Sequence, residues 1–94
     1  MLYMMTWTIR DGCHQEAVKK FLETQAPLPD GLSQVGRYHA PGSIHGWLIV
    51  EGQDPALVYQ HASEWAHLLT FDVTPVVNDA VAGKTSAVVW GQTK

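Results

Sequence analysis

The chain has 94 residues, nine of them acidic and six basic, for a formal charge of −3, and this length holds one hydrophobic core. Its bases (Arg10, Lys19, Lys20, Arg37, Lys84 and Lys94) are scattered, which argues against the basic footprint that nucleic-acid binding requires. One cysteine, Cys13, leaves no internal disulfide, and no apolar run approaches the roughly 18 residues of a membrane span.

Leu2 to Ile9 reads as a first strand, with Tyr3, Met5, Trp7 and Ile9 on one face and Leu2, Met4, Thr6 and Thr8 on the other. After an Arg10-Asp11-Gly12 turn, the spacing of Ala17, Val18, Phe21 and Leu22 predicts a helix from about Cys13 to Gln25. Pro27 and Pro29 stop it, since proline lacks the N–H that would extend the helix. Leu32 to His39 and Ile44 to Glu51 read as two strands of a hairpin, joined through Ala40-Pro41-Gly42-Ser43. Asp54 is placed as an N-cap and Pro55 as the first residue of a second helix reaching about His67. Leu57, His61, Trp65 and Leu68 lie along one side of that helix, joined by Val58 and Ala62.

Leu69 to Val77 reads as a fourth strand, and Pro75 within it marks an edge or a bulge. Beyond it, Asn78 to Ala82 suits one helical turn, Gly83-Lys84-Thr85 is expected to break it, and Ala87 to Trp90 suits a short extra strand. The expected division is therefore a domain over residues 1–80 and a tail over residues 81–94, serving as a strand or a dimer arm. The order strand, helix, strand, strand, helix, strand predicts an α+β, split βαβ sheet with both helices on one face. The other face stays open. Apolar residues make up 46% of the chain and charged residues 16%, against about 25% charged in a typical domain, which fits a face buried between subunits.

Four stretches carry a resemblance: Met1 to Arg10, Gly36-Arg37-Tyr38-His39, His61-Ala62-Ser63-Glu64-Trp65-Ala66, and Phe71-Asp72-Val73-Thr74-Pro75-Val76. Over roughly residues 1–80 the chain resembles a family of short bacterial proteins described only as a domain of unknown function. The resemblance implies the ferredoxin-like fold of the dimeric α/β-barrel superfamily, with two sheets packed face to face into an eight-stranded barrel. That superfamily contains quinone-forming monooxygenases, haem-degrading enzymes and small-ligand binders, so it implies no single activity. It supplies no catalytic residues. The fold expected is ferredoxin-like with antiparallel strand order 4-1-3-2, which puts the strand of Pro75 at an edge. A homodimer through the open face, with Val35, Trp47 and Ile49 contributing, is the expected assembly.

Five histidines direct the search for chemistry. His39 and His45 flank the hairpin link and are expected opposite one another on one face with Arg37 and Trp47. As a metal site this pair is weak, since it offers only two ligands and no carboxylate or thiolate. His61 and Trp65, four residues apart, share a helical face. They read either as core, with a satisfied imidazole, or as a pocket with Trp65 as a flat wall and His61 as a polar partner. Cys13 near a helix start has no nucleophile signature around it, and Gly83-Lys84-Thr85 lacks the earlier glycine of a phosphate loop. The expectation is a small-ligand binder or cofactor-free enzyme for a planar or hydrophobic molecule, held by Arg37, His39, His61 and Trp65. No cofactor is implied, and a soluble cytoplasmic protein is expected, since the N-terminus has no basic region preceding an apolar one. The competing expectation is a non-catalytic interaction module, for which the aromatic tail residue Trp90 would be the anchor.

Overall fold

Alternating apolar residues in an eight-residue run make β1 (Leu2–Ile9), and in the computed structural model, which describes residues 1–91, Tyr3, Met5, Trp7 and Ile9 are all buried. Lys94 and the end of the expected tail lie outside the described residues. The chain continues through α1 (His14–Thr24), β2 (Ser33–His39), β3 (His45–Glu51), α2 (Pro55–Trp65), β4 (Leu69–Val76) and α3 (Asp79–Ser86). The sheet order is β2-β3-β1-β4 with every pair antiparallel. This is the ferredoxin-like order 4-1-3-2 read from the opposite edge. Pro75 sits on edge strand β4, opposite Tyr3, where only one neighbour asks for a ladder donor.

Local chemistry explains the helix ends. Asp54 Oδ1 accepts from the Ala56 N–H at 2.9 Å and Pro55 occupies the first turn of α2, so two orphan-donor positions are dealt with at once. α1 closes through two successive left-handed residues, Gln25 (φ 61°) and Ala26 (φ 46°), directly before Pro27. Both helices cover the sheet face bearing Met5, Leu48 and Val50, which with Leu68 are the most deeply buried large side chains.

Gly46 is a packing requirement. It pairs with Trp7 across the β1–β3 ladder, and a Cβ there would stand 1.9 Å from Trp7 Cζ2. The indole cannot easily swing away, because its Nε1 donates to Ser43 O at 3.3 Å. Gly46→Ala is expected to cost about 1–3 kcal/mol through overpacking, read as a lowered urea midpoint with an unchanged slope.

Two sequence expectations change. His39 pairs with Gly46, not with His45, and Tyr38 pairs with Trp47. Since paired residues share a face, Arg37 and His39 stand on the helix-covered face with Leu48, while His45 and Trp47 stand on the open one. The weak metal pair of His39 and His45 is thereby split across the sheet. The register explains it: the Ala40 N–H donates to His45 O and closes a tighter loop than the expected link.

The tail also differs. Gly83-Lys84-Thr85 does not break the helix, and Ala87–Gly91 continues it as a π turn where a strand was expected. Asn78 caps the start, its side chain accepting from the Val81 N–H at 2.9 Å, and one internal glycine costs only about 1 kcal/mol. A strand at Ala87 would need a free sheet edge beside it. No residue of α3 or its π turn is buried, and the radius of gyration is 16.2 Å, against about 12 Å for a compact chain of this length.

Candidate functional site

The covered sheet face and the two helices do not meet completely. Between them lies a cavity of about 340 Å³, open to solvent on one side, with Trp7, Phe21, Leu48, Trp65 and Phe71 among its apolar walls. Its polar side chains are Arg37, His39, Ser43 and His61. All four residues expected from the sequence, Arg37, His39, His61 and Trp65, therefore line one space. β2 supplies Arg37 and His39, and α2 supplies His61 and Trp65 one turn apart.

His39 is exposed and stands at the mouth. Its ring meets Trp7 and Phe21 edge-on, with centroids 5.1 and 5.3 Å away, and its Nδ1 lies 3.2 Å from Ser43 Oγ. His14 Nε2 lies 2.8 Å from Gly42 O, so α1 also holds the hairpin tip against this end of the cavity.

Arg37 is more committed than its sequence role implied. Its Nη1 donates to Gln25 O at 3.3 Å and its Nη2 to Ala26 O at 2.9 Å. The guanidinium thus clamps the left-handed turn that ends α1, where the helix dipole favours a cation. Its Cζ also lies 5.7 Å from the Phe21 ring centroid. Burial lowers the Arg37 pKa from its ordinary value, yet a guanidinium stays charged at any physiological pH. Its remaining N–H groups are the ones available to a ligand.

His61 is the centre of the site. It is 3% exposed, the one buried polar side chain among the described residues. Its Nδ1 lies 3.4 Å from Glu64 Oε1, outside hydrogen-bond geometry, and has no hydrogen-bond partner. Glu64 is held in turn by Gln60, whose Nε2 donates to Glu64 Oε2 at 3.3 Å. The imidazole is buried as the core reading expects, and the Glu64 carboxylate meets its Nδ1 only loosely. Trp65 forms the adjoining wall, with Lys20 Nζ 4.5 Å from its ring centroid while donating to Glu64 O at 2.5 Å.

Burial holds the His61 pKa below its ordinary value; Glu64 pulls it upward, and the charges of Arg37 and Lys20 push it down. The neutral imidazole is therefore the folded form. A histidine depressed on folding binds fewer protons in the native state than in the unfolded one, so stability rises with pH across the interval between the two values. The fold should hold its full His61 contribution above about pH 6.5, the ordinary histidine value, and lose it progressively on acidification below that. Urea midpoints compared between wild type and His61→Leu from neutral to acidic pH check this, the variant showing the shallower decline.

Sequence reasoning missed Trp7, Phe21, Leu48 and Phe71 as walls, and Glu64 as the neighbour of His61. The alternation of β1 already put Trp7 on the covered face, and the spacing of three between His61 and Glu64 was a legible helical pair. Among the described residues no three His, Cys, Asp or Glu side chains gather as a metal site requires, and no helix is long and apolar enough to cross a membrane.

Comparison with known proteins gives one finding. A family model described as "Domain of unknown function (DUF3303)" matches residues 1–89, reaching into the tail and beyond the stretch that carried the resemblance. No curated protein and no solved structure matches the chain.

Proposed function

Because the chain belongs to the DUF3303 family, a domain of unknown function, we propose its role from the cavity itself: it binds a planar or hydrophobic small molecule between the sheet and the helices, as a binder or as a cofactor-free enzyme. The observation that carries this reading is a solvent-open, aromatic-walled cavity of about 340 Å³ with Arg37, His39 and His61 converging among its lining residues. Apolar walls with a few convergent polar groups are the usual composition of a small-molecule site. Trp65 and Trp7 supply flat surfaces, and Arg37, His39 and His61 supply the polar contacts.

Tryptophan fluorescence tests it. Naphthalene is expected to quench the protein saturably, and Val18→Phe, which fills the cavity from α1, to remove the quenching while the circular dichroism stays native. Quenching that never saturates in the wild type would remove the reading.

The protein acts, on the same proposal, as a homodimer. Tyr38, Trp47 and Ile49 carry apolar surface on the open sheet face, and Val35 stands exposed where β2 bulges against β3. α3 supports an arm that packs on the partner, because a short helix with no buried residue is marginal in water. Trp47→Lys is expected to shift the protein from dimer toward monomer in analytical ultracentrifugation, by leaving an unpaired charge in the contact. The second reading, a non-catalytic interaction module, draws on the tail, where Val81 of α3 and Val88, Val89 and Trp90 of the following π turn are exposed.

A further inference from the structure

We infer that Glu64 and His61 form a proton-accepting pair, and that the molecule the cavity takes presents to it a weakly acidic O–H, as a phenol or an enol does, on an otherwise apolar planar frame. This rests on the reading of the cavity as a small-molecule site and adds what the ligand must bring.

The argument begins with the two nitrogens of His61. Nδ1 is sealed from solvent and faces the Glu64 carboxylate at 3.4 Å. A carboxylate can only accept, so the proton of the neutral ring belongs on Nδ1. The lone pair is then on Nε2, and His61 lines the cavity. Gln60 fixes the other carboxylate oxygen, which keeps Glu64 turned to its partner. A carboxylate behind an imidazole sets the tautomer and raises the basicity of the far nitrogen, and such contacts are commonly loose until a ligand arrives.

The surroundings limit what can satisfy that lone pair. Its charged neighbours are Glu64 on its own helix, Lys20 from α1 and Arg37 from β2. Lys20 donates to the backbone of Glu64 and lies against Trp65, and Arg37 spends two donors on α1. Among the described residues no donor reaches Nε2. A ligand carrying only acceptors, such as an ether or a carboxylate, would set lone pair against lone pair there. An O–H donates instead. If its proton crosses, it passes from ligand oxygen to Nε2; the O–H bond breaks, the N–H bond forms, and the products are an imidazolium backed by Glu64 and a ligand oxyanion in the cavity that holds the Arg37 cation. No oxidant or further reactant is involved.

The test uses β-naphthol, its methyl ether and naphthalene, titrated by tryptophan quenching against the full chain. The ether keeps the ring and the oxygen and loses only the donor. β-Naphthol is expected to bind at least about tenfold more tightly than the ether, which is about 1.4 kcal/mol. Glu64→Gln, at an exposed position, should erase the preference by letting an amide N–H face Nδ1 and move the ring proton to Nε2. His61→Leu should erase it too, and both variants should still bind naphthalene. Acidification that protonates His61 should also erase it, with naphthalene binding retained while the fold persists. Equal binding of β-naphthol and its ether, or a preference that survives both variants, overturns the inference and leaves the cavity reading intact. Failure of all three probes to bind overturns both.

Discussion

Trp65→Ala is expected to lower the unfolding free energy by about 3–5 kcal/mol, the usual cost of removing a buried indole. For a domain of this size the whole stability is about 5–14 kcal/mol, so the variant gives up a large share of it. Trp65 is buried, its ring is covered by Lys20 Nζ, and it shares a wall with His61 one turn earlier. Truncation would merge the indole's volume with the existing cavity, and the surrounding strands, tied by ladders on both sides of β1, cannot collapse into it. Trp65→Phe keeps a flat apolar wall and should cost less than half as much. Urea unfolding measures both. A cost below about 1 kcal/mol for the alanine variant would mean that the indole is a loose flap and not a wall, and the binding role given to it would go too.

The fold was legible because β1 and α2 state their environments twice. In β1 the alternation and the bulk agree: Tyr3, Met5, Trp7 and Ile9 are large, apolar and all buried. In α2 the cap, the first-turn proline and the buried positions Val58, His61 and Trp65 point the same way. Consistent local signals of this kind are what specify a single structure. Pro75 agrees with the edge position that the expected order 4-1-3-2 gives β4.

What was not legible depends on register and on side chains that meet across long sequence separations. The partition of His39 and His45 to opposite faces turns on one residue of loop length, because a slip of one reverses every side chain. The clamp made by Arg37 joins β2 to carbonyls of Gln25 and Ala26, and nothing in the composition of either segment announces it. In the tail, Ala87-Val88-Val89-Trp90 has strand-like composition, but strand propensity is realised only beside a partner strand. The helix begun by the Asn78 cap therefore runs on. The cavity walls were half legible: face and helix phase identified Trp65 and His61, while Phe21 and Phe71 join them only through tertiary packing.

Arg37→Ala is expected to cost roughly 2–4 kcal/mol, although among the described residues no carboxylate pairs with it. Each hydrogen bond from a charged donor contributes about 1.5–3 kcal/mol, and Arg37 gives two, to Gln25 O and Ala26 O. Recovery of the desolvation cost of a half-buried cation offsets part of that total. The two acceptors belong to residues at φ 61° and 46°, a left-handed conformation that costs a non-glycine residue about 1–2 kcal/mol. Without the clamp, that turn has less to hold it, and α1 is free to swing at its C-terminal end, where Phe21 and Leu22 form part of the cavity wall. Stability and site shape should therefore fail together. Arg37→Lys should recover little, since one ammonium cannot reproduce a fork spread over two carbonyls. Amide hydrogen exchange separates this from a general loosening: protection should fall first at Gln25, whose N–H donates to Phe21 O at 2.7 Å, while the β1 ladder stays protected. Loss spread evenly over sheet and helix would mean that Arg37 stabilises the whole domain and not this turn.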